Sequence, residues 1–197
     1  MTVVRWADDF VVGFQHPSEA ERFHKELAER FARFKLKLHP AKTRVIEFGR
    51  YAAENRKRRG QGKPETFNFL GFTHICGKTR SHGMFTVWRR TMSKRKRAKL
   101  KEVKTELRKR MHHRVAEAGK WLRSVVEGHN RYYGVPSNIP SLSSFRFHVA
   151  RHWYWTLRRR SQTRRLTREQ MVRLANRWLP PPKLHHPYPL RRLGVIT

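Results

Sequence analysis

Residues 1–14 read MTVVRWADDFVVGF: two short apolar runs with Asp8 and Asp9 side by side between them, and no other aspartate occurs in the 197 residues. Val3, Val4 and Trp6, then Phe10 to Val12 and Phe14, carry the β-branched and aromatic content of strands, so the stretch predicts a hairpin turning at Ala7-Asp8-Asp9. Two adjacent carboxylates on a rigid turn suit a hard divalent cation. Mg²⁺ takes oxygen ligands, usually only one or two of them protein carboxylates. Turn chemistry alone also favours Asp, because its side chain bonds nearby backbone N–H groups. The pair by itself therefore leaves a metal site and an ordinary turn both open.

What surrounds the hairpin is strongly basic. The chain has 46 Lys and Arg against 14 Asp and Glu, a formal charge of +32. A surplus of that size repels itself unless a polyanion neutralises it, and nucleic acid is the commonest such partner. The charge is uneven: residues 1–50 hold 10 basic and 7 acidic side chains, residues 51–197 hold 36 and 7. No lipidation signature and no 18-residue apolar run is present, so no membrane role is expected. Cys76 is the single cysteine, which excludes an intrachain disulfide and a multi-cysteine zinc site and fits a reduced, cytoplasmic setting. The length allows one or two domains, and 12 Phe and 6 Trp supply material for real cores.

Beyond the hairpin, HPSEAERFHKELAERFARFKL predicts an amphipathic helix about 30 Å long. Ser18 and Glu21 have capping-box spacing, Phe23, Leu27, Phe31 and Phe34 form one face, and His39-Pro40 ends it. Thr43–Phe48 (TRVIEF) predicts a strand, 50–66 a basic loop, and FNFLGF (Phe67–Phe72) a strand. Gly77–Val87 suggests a further hairpin. From Ser93 the pattern turns helical, with Leu100, Val103, Leu107 and Met111 as an apolar stripe. Helices are expected over Val115–Tyr133 and roughly Phe145–Arg160, with VPSNIPSLSS connecting them. A short helix follows Thr167, and LPPPKLHHPYPL reads as an extended proline-rich tail. The fold class is α+β. The boundary falls near residue 92: β-hairpins plus one long helix over 1–91, and a basic helical bundle with a proline-rich tail over 92–197.

The flanks of the Asp pair add a resemblance. VVRWADDFVV is similar to the Tyr-x-Asp-Asp hairpin of reverse transcriptases, in the form used by group II intron proteins. LHPAKT with TRVIEFG resembles the segment after the palm helix, and FNFLGFTH the hairpin that grips the primer end. WLRSVVEGHNRYYGVPSN, FRFHVARHWYWTLRRRSQ and LHHPYPLRR resemble the thumb, or maturase-specific, region of bacterial group II intron proteins. The order of these blocks, running from about Val3 to Arg192, makes the likeness specific.

The resemblance implies a partial palm followed by a thumb/maturase bundle. It implies catalytic, Mg²⁺-binding roles for Asp8 and Asp9 and positions near the primer or nucleotide for Trp6, Lys42, Phe69, Leu70 and Gly71. The chemistry would be attack of a primer 3′-hydroxyl on a nucleotide α-phosphate, assisted by two Mg²⁺ ions. Two departures stand out. Trp6 replaces the usual Tyr. The family's fingers and first catalytic aspartate lie upstream of this hairpin, and Glu47 is the one nearby carboxylate that could substitute. The expectation is an RNA-binding portion of a reverse transcriptase/maturase that does not polymerise alone. The alternative is one subunit of a split polymerase, completed by a separate fingers-palm chain. A third reading, a basic ribosome-associated scaffold, has no use for an acidic hairpin. A Cys-containing endonuclease domain is not expected.

For RNA, the residues expected to make contact are Lys94, Arg95, Lys96, Arg97, Lys101, Arg108, Arg123, Arg131, Tyr132, Tyr133, Arg158, Arg159 and Arg160. The partners implied are structured intron RNA and a template/primer duplex, recognised by shape and phosphate rather than by base edges. Trp121 and Trp153 have the helical spacing of core residues, while Tyr132, Tyr133 and Trp155 fit either a core or a base-stacking role. The pairs His112-His113 and His185-His186 lack metal-ligand spacing and read as solvated or phosphate-facing.

Overall fold

The computed structural model describes residues 1–79, 82–160 and 166–187. The chain is α+β, with five strands and six helices among the described residues. It divides into two compact units. The first is Met1–Phe69 with His74–Val87; the second is Leu70–Thr73 with the chain from Trp88 onward.

In the first unit, β1 (Thr2–Trp6) and β2 (Asp9–Gly13) pair antiparallel, with Val4 opposite Val11 and Trp6 opposite Asp9. Only Ala7 and Asp8 are left for the turn. Ala7 takes φ 52°, a left-handed conformation that costs a residue with a Cβ. α1 (Pro17–Arg33) follows. Pro17 presets φ for the first helical position, so His16 becomes the N-cap and Ser18 falls inside the first turn. The expected Ser18–Glu21 capping box is therefore absent. The helix also stops earlier than His39-Pro40. Lys35 turns left-handed at φ 57°, and the amides of Lys35 and Leu36 donate back to the carbonyls of Ala32 and Phe31 at 3.0 and 2.9 Å. That Schellman arrangement closes the helix and leaves Phe34 exposed rather than on the apolar face. Phe23, Leu27 and Phe31 are half-buried, with the Phe14 ring 5.3 Å from that of Phe23.

Two further expectations change here. Thr43–Phe48 is not a strand, because no ladder partner among the described residues lies alongside it. Side chains hold the segment instead: Arg44 donates to the Thr66 carbonyl at 2.6 Å, and the Phe48 and Phe67 rings meet edge-on at 4.9 Å. Within the expected loop 50–66 a short helix forms, α2 (Ala52–Arg58). Glu54 stands in its first turn and Arg56, Lys57 and Arg58 in its last, the charge order that a helix dipole favours.

The strands β3 (Phe67–Phe69), β4 (Phe72–Lys78) and β5 (Phe85–Thr91) are hydrogen-bonded in that order. FNFLGF is thus not one strand. Leu70 and Gly71 both have positive φ, 48° and 77°, which is the two-residue turn that matches strand twist.

The second unit is a helical bundle: α3 (Ser93–Lys109), α4 (Val115–Tyr133), α5 (Ile139–Arg158) and α6 (Arg168–Trp178). Each helix contributes a buried stripe. Leu100, Val103 and Leu107 come from α3, Ala118, Leu122 and Val126 from α4, Phe145, Val149 and Trp153 from α5, and Met171 and Ala175 from α6. α5 begins at Ile139, a turn and a half ahead of the expected Phe145. Pro140 sits in its first turn, where a missing N–H costs nothing, so the proline starts the helix instead of forbidding it. α6 starts on the capping box of Thr167 and Gln170.

Two close approaches fix the bundle. A Cβ on Gly119 would lie 2.6 Å from the Trp178 ring, so α4 and α6 meet at a position that admits only glycine. At the head of α5, Asn138 is fully buried. Its Oδ1 accepts from the Thr91 amide at 3.0 Å, and its Nδ2 donates to Thr91 Oγ1 and to the Tyr133 carbonyl, both at 2.8 Å. The tail is not free as far as it is described. Both His185 and His186 amides donate to the Gly134 carbonyl, at 2.8 and 3.1 Å, and the His186 ring lies 2.8 Å from the Arg131 carbonyl. His185 is exposed, whereas the His186 ring meets a carbonyl at the end of α4 instead of facing solvent or phosphate. Tyr188–Thr197 and Ser161–Arg165 lie outside the described residues, and with them the rest of the LHHPYPLRR block.

Candidate nucleic-acid interface and acidic hairpin

Asp8 and Asp9 are exposed, and neither takes part in an ion pair among the described residues. The hairpin therefore presents two uncompensated carboxylates to solvent. Trp6, opposite Asp9 in the register, is 67% exposed beside them. Such an all-oxygen donor pair fits the share that Mg²⁺ usually takes from protein, with phosphate and water filling the remaining positions. No group of three or more His, Cys, Asp or Glu side chains gathers anywhere among the described residues. The pair thus fits an ion held jointly with a nucleic-acid phosphate, not one caged by protein.

Glu47 does not complete the set. Arg59 donates to its Oε2 in a close ion pair, and Asn55 donates to its Oε1 at 3.3 Å. Burial pushes the Glu47 carboxyl up, but the hydrogen bonds from Arg59 and Asn55, with the charges of Arg59 and Arg56, outweigh it and hold it below the usual carboxylate range. Lys42 is exposed and Phe69 half-buried, both in the first unit.

The second unit brings several expected residues together. The Tyr132 hydroxyl donates to the Leu70 carbonyl at 3.0 Å, and the Phe72 ring stacks on Tyr132 at 6.0 Å and meets Tyr133 edge-on at 5.2 Å. A Cβ on Gly71 would sit 3.0 Å from the Tyr133 hydroxyl. The Leu70-Gly71 turn and the Tyr132-Tyr133 pair are therefore one packed cluster, although Leu70 and Tyr132 lie 62 positions apart in the chain. Tyr133 is partly buried, and burial together with Tyr132 pushes its hydroxyl pKa up. Tyr132 keeps 55% of its surface exposed.

Beside this cluster runs a groove of about 540 Å³ between α3 and α4, lined by Arg95, Lys99, Glu102, Gly128, His129 and Tyr132 among others. His129 is buried, stacked on Phe145 at 3.7 Å, and its Nε2 has no hydrogen-bond partner among the described residues. Burial, with the charges of Lys96 and Lys99, lowers its pKa to about 4, so the ring is neutral at physiological pH.

The bundle surface is cationic. Lys94, Arg95, Arg97, Lys101 and Arg108 of α3 are exposed, as are Arg123 and Arg131 of α4 and Arg159 and Arg160 after α5. Some expected residues have prior engagements. Lys96 donates to Ser144 Oγ at 3.2 Å, tying α3 to α5, and Arg131 pairs with Glu127 at 2.7 Å. Arg158 lies over the rings of Tyr154 and Trp155, 5.6 and 5.4 Å from their centroids. Trp153 is fully buried and Trp121 half-buried under Arg110, while Trp155 is 48% exposed. No helix among the described residues is long and apolar enough to cross a membrane.

An acidic strand-turn-strand and a cationic, aromatic-bearing bundle are the two features of the chain that suit contact with nucleic acid. The comparison with known families sharpens this for the front of the chain: the family described as reverse transcriptase (RNA-dependent DNA polymerase) matches residues 1–74, a span that contains Asp8, Asp9, Lys42 and the Leu70-Gly71 turn. The front segment is thus similar to reverse transcriptases. No curated protein and no solved structure matches the chain.

Proposed function

We propose that the chain is an RNA-binding part of a group II intron reverse transcriptase/maturase, with residues 1–91 as the end of the palm and 92–197 as the thumb. It works in the cytoplasm on structured intron RNA and on a template/primer duplex. The observation that carries this reading is the cationic bundle surface. Lys94, Arg95, Arg97, Lys101 and Arg108 stand exposed on one helix whose acids, Glu102 and Glu106, are already taken by Lys99, Lys109 and Arg110. Charge left uncompensated in that way is stabilised by phosphate, with release of counterions. The likeness of residues 1–74 to reverse transcriptases supports the palm assignment.

In this reading the bundle holds the helical RNA by its backbone, and the cluster of Leu70, Gly71, Tyr132 and Tyr133 fixes the turn that would lie against a primer end. Asp8 and Asp9 would hold Mg²⁺ together with phosphate. When bound, the ion supplies Lewis-acid stabilisation of phosphoryl oxygens. With two carboxylates at the hairpin and Glu47 engaged by Arg59, primer extension by this chain alone is not expected.

The exposed apolar surface of β1 favours a second reading. Val3, Val4 and Trp6 are each more than half exposed, which is costly unless another surface covers them. A separate fingers-palm chain would do so and would make the pair a split polymerase.

One experiment addresses both. The purified chain, alone and mixed with a fingers-palm fragment, is tested for intron RNA retention on a filter and for Mg²⁺-dependent extension of a primed RNA. Retention without extension is expected for the chain alone. Extension by the chain alone that vanishes in Asp8→Ala would refute the binding-only reading, and absence of retention would refute both.

A further inference from the structure

The outer face of α5, together with its C-cap residue Arg159, carries a ladder of a different kind. Phe147, Arg151, Trp155 and Arg159 recur every four residues and are all exposed, Phe147 at 62% and Trp155 at 48%. The inner face of the same helix holds Phe145, Val149 and Trp153, so the core has its aromatics already and the outer pair adds nothing to it. Large aromatics left in water on a helix that could carry any polar residue there point to a partner.

The charge says which partner. No Asp or Glu occurs from residue 128 to residue 168, while that span contains Arg131, Arg146, Arg151, Arg158, Arg159, Arg160, Arg164, Arg165 and Arg168. A protein partner would have to bring every acid itself; a phosphate backbone brings one per nucleotide. Spacing narrows it further. Phe147 and Trp155 are eight residues apart, about 12 Å along the helix axis. That is much more than the ~3.4 Å between stacked bases on one strand. The two rings cannot lie against neighbours in a continuous stack, but each can take one base from a strand whose bases are splayed apart. Arg158 lies 5.4 Å from the Trp155 centroid, which steadies that ring, and Arg151 and Arg159 stand between and beyond the aromatics, where phosphates of such a strand would pass.

We propose that the α5 face of Phe147, Arg151, Trp155 and Arg159 is a stacking platform for an unpaired RNA segment, separate from the α3 surface that holds helical RNA. The proposal rests on the RNA-binding reading above and assigns this face its own substrate class.

The test compares one labelled 12-nucleotide RNA as a single strand and as a blunt duplex, using the whole chain and the variants Phe147→Ala, Trp155→Ala, Trp155→Phe and Trp155→Leu. All four changes are on an exposed helix face, and unchanged helical circular dichroism verifies folding. Phe147→Ala and Trp155→Ala should each weaken single-strand binding about tenfold and leave duplex binding within about twofold. Trp155→Phe should retain most of the affinity, whereas Trp155→Leu, equally apolar but without a π-face, should behave like the alanine variant. Single-strand affinity indifferent to both alanine changes, with duplex binding intact, would overturn the platform and leave the RNA reading standing. Trp155→Leu binding as well as wild type would assign the face to plain apolar docking. Failure of the wild type to bind either RNA would refute the RNA reading and the platform together.

Discussion

Replacing Asn138 by leucine removes the polar clamp at the head of α5. The two side chains have similar size, so the change is mainly one of hydrogen bonding. In the wild type the amide satisfies the Thr91 N–H, Thr91 Oγ1 and the Tyr133 carbonyl, with Asn138 fully buried and Thr91 5% exposed. Thr91 Oγ1 can rotate to another partner and the Tyr133 carbonyl keeps the Val135 N–H at 2.8 Å; the buried Thr91 N–H is the backbone group left without its partner. A buried backbone group left unpaired costs about 1–3 kcal/mol, so Asn138→Leu should cost about that much, a sizeable part of a typical domain's stability. At about 2–4 °C per kcal/mol for a chain of this size, the melting temperature should fall by roughly 5 °C. The assay is far-ultraviolet circular dichroism with urea and heat. Because the clamp also holds the Tyr133 carbonyl, RNA binding at 10 °C should weaken less than stability does. A melting temperature within about 1 °C of wild type would rule the clamp out as a source of stability, since it would mean that the Thr91 N–H finds another partner at no cost.

Other consequences are equally measurable. Gly119→Ala puts a methyl group 2.6 Å from the Trp178 ring and should cost about 1–3 kcal/mol in urea unfolding, overriding the ~1 kcal/mol that alanine gains in a free helix. Ala7→Gly relieves a left-handed backbone at φ 52° and should raise or leave unchanged the melting temperature, whereas Ala7→Val should lower it. His129 has its folded pKa lowered to about 4 from 6.5, so the unfolded chain binds the proton more readily between those values. Stability should therefore be full above pH 7 and fall as acid is added. The loss is about 2 kcal/mol at pH 5, and His129→Phe should flatten this slope if the ring is the cause. Reversing Arg95, Arg97 and Arg108 to Glu should lower the salt slope of RNA binding by roughly one unit for each phosphate no longer neutralised, while Asp8→Ala leaves it unchanged.

The regular parts of this fold are legible in the sequence because their signals are local. Leu100, Val103 and Leu107 repeat at helical spacing with charge on every other side, and Val115–Tyr133 emerges as a helix with those bounds. The Asp8-Asp9 hairpin shows itself as alternating apolar runs around a turn. What the sequence hides depends on partners or on single backbone angles. Thr43–Phe48 has strand composition, but a strand exists only beside another, and here side chains such as Arg44 take that place. Lys35 going left-handed ends α1 ahead of Pro40, and nothing in a lysine announces it. Pro140 has the look of a helix breaker, yet its place in the first turn makes it a starter.

Of the site, the cations are visible as composition, but their engagements are not. Lys96 on Ser144 and Arg131 on Glu127 are pairings between residues whose proximity only folding decides. The same holds for Asn138, hidden in a stretch with the composition of a linker, and for the packing of Gly71 under Tyr132 and Tyr133. Phe147 is the surface residue that sequence reasoning misses. Its signal is there, since it lies opposite Phe145 and four residues before Arg151, yet an aromatic in a helix is so often core that only its exposure separates the two roles.

The RNA-binding reading stands or falls on the salt dependence of intron RNA binding by this chain, measured as log K against log[KCl] from 0.05 to 0.3 M, roughly the range over which counterion release dominates. A polyphosphate held by the exposed cations of α3 and α4 predicts a steep straight line, several units of slope, unaltered by Asp8→Ala and made shallower by reversing Arg95, Arg97 and Arg108. A flat line, or no binding at the lowest salt, would contradict it.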